Sequence, residues 1–295
     1  MTTVPHRTFT TLSKRGLRHD ILPMRLYHKA KKLGTWDPRD IDLTRDRQDW
    51  SALPEEYRER LLGLFLGFQA GEEAVTLDLT PLIIAVAREG RLEEEMFLTT
   101  FLWEEAKHTE FFRRVLDEVV QVQEDLNPLM RPAPNSRDLF GEDLPRVMNR
   151  LLTDSSPENQ VKASVLYNMI IEGVLAETGY FNFARLLGQA GMMPGLQQGL
   201  QYIKRDESRH IAYGVFLISR LVAQHPSLWP LVEERMLRHF AAIESNQREN
   251  STPEVVRNYA RQQFEKRLAR IARARQQTLE QVYSGDASEE EAESG

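Results

Sequence analysis

The chain has no cysteine at all. That absence removes disulfides, thiolate nucleophiles, iron–sulfur clusters and cysteine-type zinc sites together, so any bound metal must be held by nitrogen and oxygen. Long apolar runs are missing too. The longest uncharged apolar runs, Thr80 to Ala87 and Ala163 to Ile171, fall far short of the roughly 20 residues that a membrane-spanning helix needs. Charges at Arg7, Lys14 and Arg15 stand where a secretory signal would place an apolar segment, so a cytoplasmic protein is expected. There is no excess of positive charge. With Lys+Arg 38 against Asp+Glu 44 the net charge is −6, which gives no field to attract nucleic acid. Finally, no turn dipeptide such as Asn-Gly marks a β-hairpin.

What is present is the composition of an ordinary globular protein. The 295 residues are 41% hydrophobic and 28% charged, enough to bury a sizeable core. Met1 to Lys32 carries eight Lys/Arg residues against the single acid Asp20, a basic arm expected to lie on an acidic surface. Ser284 to Gly295 has acids, no base and no large apolar residue, the composition of a disordered tail. Between them the apolar positions recur at helical spacing. The expected helices run near 55–89, 91–120, 143–154, 158–187, 195–223, 227–248 and 253–282, with the Pro-rich Asn127 to Asn135 as the main irregular connection. The expected organisation is one all-α domain over 1–283, followed by the tail.

Positions three and four apart share a helix face, and four glutamates lie on apolar faces. Glu72 falls among Phe65, Phe68, Val75 and Leu79. Glu105 and His108 fall among Leu98, Phe101, Phe112 and Val115. Glu172 joins Val165, Met169, Ala176 and Phe183, and Glu207 with His210 joins Leu200, Ile203, Gly214 and Leu217. An unpaired buried carboxylate costs several kcal/mol or is driven neutral, so four of them need a shared cause. Glu72 precedes Glu105-x-x-His108 by 33 residues, and Glu172 precedes Glu207-x-x-His210 by 35. Two E-x-x-H motifs and two single glutamates can converge as six ligands inside a four-helix bundle, the arrangement of ferritin-like dinuclear carboxylate proteins. Four carboxylates balance two divalent cations. The alternative is a structural core of ion pairs. Glu104, four residues before His108, reads as a helix-surface acid. Oxygen and imidazole donors suit iron or manganese, and four carboxylates would be atypical of zinc.

The sequence resembles the ligand-binding oxidases similar to the small, radical-generating subunit of ribonucleotide reductase. The resemblance rests on Lys32-Leu33-Gly34-Thr35-Trp36 with Asp37-Pro38, Gly71-Glu72-Glu73-Ala74-Val75, Trp103-Glu104-Glu105-Ala106-Lys107-His108, Tyr167 ahead of Ile171-Glu172-Gly173, and Arg205-Asp206-Glu207-Ser208-Arg209-His210. It implies a ferritin-like four-helix core extended by further helices. It also implies manganese held by Glu72, Glu105 and His108 and iron by Glu172, Glu207 and His210, with Glu105 and Glu207 bridging. The usual affinity order would instead favour iron at both positions, which leaves a di-iron centre as the alternative. The resemblance further implies dioxygen activation, a long-chain fatty acid with its carboxylate at the metals, a homodimer, and an ether bond between the Cβ of Val75 and the oxygen of Tyr167. Asp206 resembles the acid that orients a metal-bound histidine.

The residues themselves favour Val75, whose tertiary C–H lies one turn from Glu72. Tyr167 is harder to place, because five residues before Glu172 is about 140° round a regular helix, the position of an ordinary core tyrosine. Gly71 and Gly173 leave room for a ligand beside the glutamates. Phe65, Phe68, Phe101, Met169 and Phe181 read as plain core before tunnel wall. The expected activity is two-electron oxidation of a fatty-acid-like ligand. The alternative is a ribonucleotide reductase small subunit, weakened because Phe112 stands where many such subunits carry a radical tyrosine and because the C-terminal tail has no apolar anchor. Iron storage would call for a shorter chain.

Overall fold

The computed structural model describes residues 9–130, 139–188 and 191–285. Most of the expected acidic tail and the latter part of the Pro-rich connection lie outside the described residues. Their regular elements are all helical, with no strand among the described residues. The core consists of α3 (Glu55–Asp78), α5 (Leu92–Arg114), the continuous helical run formed by α7 (Pro157–Ser164), a π-helical stretch Val165–Ala176 and α8 (Glu177–Leu187), and α9 (Pro194–Gln224). α3 packs on α5, α5 on α9, and α9 on the π-helical stretch. The fold is ferritin-like, and α4 (Thr80–Arg88), α6 (Leu144–Thr153), α10 (Trp229–Glu249), α11 (Glu254–Arg273) and α12 (Leu279–Ser284) extend it.

Several boundaries differ from the periodicity. The expected helix 55–89 breaks at Leu79, because Pro81 sits in the first turn of α4, where its missing N–H is tolerated but could not continue α3. The helix expected over 91–120 leaves α-geometry at Arg114 and ends as a π-turn, Val115–Val120, closed by Gln121 in the left-handed region. The helix expected over 253–282 ends at Arg273, and Thr278 starts α12 with a capping box completed by Gln281.

Two helices fall where no helix was expected. α1 (Leu22–Leu33) lies inside the basic arm and buries Met24, Leu26 and Ala30 against α5 and α9. α2 (Thr44–Ala52) sets the start of α9. The carboxylate of Asp46 accepts from the N–H groups of Gly195 and Leu196 at 2.9 and 2.5 Å, and Asp49 accepts from Met193 at 2.8 Å. These N–H groups have no partner within α9, and negative charge at a helix N-terminus opposes its dipole favourably. The long helix that carries Glu207 and His210 is thereby fixed at its origin. The buried apolar residues form two clusters. One surrounds Val75, Phe101 and Tyr167, the other Phe65, Phe111 and Tyr180, and the glutamates lie at the seam between them.

Candidate metal centre

The four core elements deliver their acids to one point. Glu72 comes from α3, Glu105 and His108 from α5, Glu172 from the π-helical stretch, and Glu207 and His210 from α9. All six are buried, none more than 5% exposed. Glu72, Glu105, His108 and Glu207 form one group of mutually close donor atoms, and Glu105, Glu172, Glu207 and His210 form a second. Glu105 and Glu207 belong to both. His108 Nδ1 lies 3.5 Å from Glu72 Oε2, 3.7 Å from Glu105 Oε2 and 3.4 Å from Glu207 Oε1. His210 Nδ1 lies 2.8 Å from Glu105 Oε1, 3.9 Å from Glu172 Oε1 and 3.6 Å from Glu207 Oε2.

These inward atoms do not satisfy one another. Both oxygens of Glu105, one each of Glu172 and Glu207, and Nδ1 of both histidines are buried with no hydrogen-bond partner. Six orphaned donors facing one space are what two cations would coordinate, and native interiors rarely leave such groups unmet without that reason. Without cations, protons balance the charge. Burial pushes the Glu72 carboxyl up to about 8, and burial next to Glu207 pushes Glu172 well above the usual range. Burial works against charge on Glu105 too, but the two imidazoles beside it hold it at about 2. Both imidazoles resist their burial and are held well above their ordinary value by the acids around them. The donor set therefore fits two divalent ions, which would displace these protons.

The outer nitrogens of the histidines are engaged. His108 Nε2 lies 3.4 Å from Asp206 Oδ2, and His210 Nε2 lies 2.9 Å from Glu104 Oε2. Holding the proton on Nε2 leaves Nδ1, the nitrogen that faces the other acids, open to a cation. Asp206 also accepts from Trp36 Nε1 at 2.8 Å and Lys107 Nζ at 3.2 Å. Glu104 is not the surface acid expected from its sequence position. It is fully buried and bonded to Arg209 at 2.5 Å, because α9 crosses α5 on that side and covers it. Its oxygen occupies the space where a side chain at position 34 would project, since a Cβ on Gly34 would stand 2.1 Å from Glu104 Oε1.

Tyr167 is completely buried, and its hydroxyl donates to the Val75 carbonyl at 2.9 Å. The 140° displacement expected for a regular helix does not occur. Tyr167 and Glu172 lie in the π-helical stretch, where residues five apart fall on successive turns. Three supporting residues had not been singled out. Tyr180 donates to Glu72 Oε1 at 3.3 Å, Asn168 donates to Glu172 Oε2 at 3.0 Å, and Arg209 bridges Glu104 and Asp206. Asn168 and Arg209 sit within four residues of a ligand candidate, which was their only sequence signal.

A cavity of about 280 Å³ ends on Glu72, Glu172 and Glu207. Its wall is otherwise apolar and includes Val75, Phe68 and the glycines Gly63, Gly67 and Gly71 of α3. Gly63 is exposed and Glu72 buried, so the cavity runs inward along α3. Gly173 does not open onto it and instead faces Asn168 and Arg267. Phe65, Phe101 and Met169 are core, while Phe181 stacks on Tyr259 at 4.3 Å, away from the centre.

The comparisons with known proteins agree with this geometry. The family model for the ribonucleotide reductase small chain matches residues 24–244. Among solved structures, the chain is similar to a glycine-to-phenylalanine variant of an R2-like ligand-binding oxidase with an anaerobically reconstituted Mn/Fe cofactor, at 39% identity and a TM-score of 0.84, covering 90% of this chain and 98% of that one. A tyrosine-to-phenylalanine variant with the same kind of cofactor gives 38% identity, a TM-score of 0.84 and the same coverage. So does a glycine-to-leucine variant with a non-activated Mn/Mn cofactor. This chain belongs to the ribonucleotide reductase small-chain family and, within it, to the R2-like ligand-binding oxidases.

Proposed function

We propose that the protein activates dioxygen at a centre of one manganese and one iron and performs two-electron oxidation of a hydrophobic, fatty-acid-like ligand. Its class, a metal-dependent oxidoreductase, follows from the family and the carboxylate–histidine cluster. Glu72, Glu105 and His108 would hold manganese, Glu172, Glu207 and His210 iron, with Glu105 and Glu207 shared. The bound metals supply the electrons and the coordination positions for dioxygen. Mn/Fe relatives support this choice.

The observation that carries the ligand is the cavity: apolar along its length, it ends on three acids at the candidate centre. An alkyl chain matches the wall, and a carboxylate head would meet the metals. Tyr167 supports the ether link, because its phenol is held at the backbone of Val75 and Val75 lines the same cavity. In that link the Val75 Cβ–H and the Tyr167 O–H each lose a hydrogen, a C–O bond forms, and the two electrons pass to dioxygen. The same reading includes a homodimer. Among the described residues no helix is long and apolar enough to cross a membrane.

The test is peptide mass spectrometry on protein loaded anaerobically with Mn(II) and Fe(II) and then exposed to air. Val75 and Tyr167 peptides joined with loss of two hydrogens are expected. A second reading, the radical-storing small subunit, is favoured by Tyr180, a buried phenol bonded to Glu72. Unjoined peptides with both metals bound would bring that reading forward.

A further inference from the structure

The two histidines have unequal outer partners. Glu104 Oε2 lies 2.9 Å from His210 Nε2, whereas Asp206 Oδ2 lies 3.4 Å from His108 Nε2. The acids also differ in how far their charge is already spent. Asp206 faces Trp36, Lys107 and Arg209 as well as its histidine. Glu104 shares its charge with Arg209 and His210. A charge-assisted hydrogen bond weakens as its acceptor is neutralised by other donors, and the acid behind a ligating imidazole sets that imidazole's donor strength.

We propose that Glu104, held in place by Arg209 and Gly34, is a positioning residue that makes His210 the stronger imidazole donor and so makes the two metal positions unequal. The proposal rests on the dinuclear reading above and concerns which ion enters which position. Imidazole donors suit iron, while oxygen donors suit manganese. The position served by His210 is thereby biased to iron. The one at His108, whose imidazole is polarised less, retains the oxygen-dominated character that manganese accepts. Arg209 Nη2 touches Glu104 and Asp206 at 2.5 Å each, so it holds both orienting acids from a single buried guanidinium. Gly34 is part of the device because any Cβ there would displace the Glu104 carboxylate.

The experiment compares wild type with Glu104→Gln and Gly34→Ala, loaded anaerobically with Mn(II) and Fe(II) together, and reads the two positions separately by anomalous scattering at the manganese and iron edges. Because oxygen is excluded, turnover does not enter the measurement. Glu104→Gln removes the charge at nearly constant shape, and Gly34→Ala presses chiefly on the acid, with a second close approach of 2.9 Å to the Ala30 carbonyl, without altering any charge. Both are expected to lower the iron-to-manganese ratio at the His210 position about tenfold and to leave the ratio at the His108 position nearly unchanged. Two ions per chain with the wild-type distribution in both variants would overturn the role of Glu104 and leave the dinuclear reading standing. Equal loss of both metals from both positions would also overturn it, marking Glu104 as a structural ion pair. Fewer than two ions in wild type would overturn the dinuclear reading and this role with it.

Discussion

Glu105 and Glu207 each stand in both groups of converging donors, whereas Glu72 and Glu172 stand in one. Truncation should therefore have unequal effects. Glu207→Ala or Glu105→Ala is expected to remove both ions, and Glu172→Ala chiefly the one beside His210. Elemental analysis of metal per chain checks this, and two ions retained in Glu207→Ala would count against bridging. The cavity gives a second prediction at this scale. A Cβ on Gly67 would meet nothing within 4 Å, so Gly67→Leu can grow into the apolar space without overpacking α3. Retention of a long-chain acid should fall at least tenfold while metal content and melting temperature stay close to wild type, read by mass spectrometry of extracted ligand. The six central residues were legible because a carboxylate on an apolar face demands a partner. Glu104, Arg209 and Tyr180 were not, because each has a partner on another helix: Glu104 and Arg209 pair between α5 and α9, and Tyr180 of α8 meets Glu72 of α3.

At the level of elements, the π-helical stretch is what places Tyr167. In a regular helix the phenol would project away from Glu172; the wider turn returns it to Val75. Apolar periodicity could not reveal this, since Val165 to Ala176 are nearly all buried and offer no polar face to phase the turn. The stretch is wedged against α9 at Gly214, where an added Cβ would stand 2.2 Å from the Cβ of Asn168. Asn168 in turn donates to Glu172. Gly214→Ala gains some helix propensity, but overpacking should dominate and destabilise the fold by about 1–3 kcal/mol. It should also loosen Glu172. Urea unfolding and metal stoichiometry report the two effects, and unchanged values for both would show that the helices separate without cost. α1 and α2 were missed for a related reason: their sequences are rich in charge, and their helical state depends on docking against α5, α9 and the start of α9.

For the molecule as a whole, the buried acids couple stability to metal. Four carboxylates and two imidazoles are buried in the seam between the apolar clusters, and keeping them there without a cation costs desolvation and proton uptake that oppose folding. Ions that bind only the folded chain add stability by mass action, roughly 3 kcal/mol at a hundredfold excess over Kd. Loading with Mn(II) should raise the melting temperature and a chelator should reverse it, as calorimetry would show; an unchanged melting curve would mean the acids are compensated by protons alone. The sequence by itself determined the all-α class, the positions of the six converging donors and the exclusion of sulfur ligands, because helical periodicity and residue chemistry are local properties of the chain. Only the tertiary structure decided which helices break, how Tyr167 reaches Val75, that Glu104 is buried against His210, and where an apolar cavity meets the acids. Those depend on contacts between residues far apart in sequence, whose free energy no local pattern encodes.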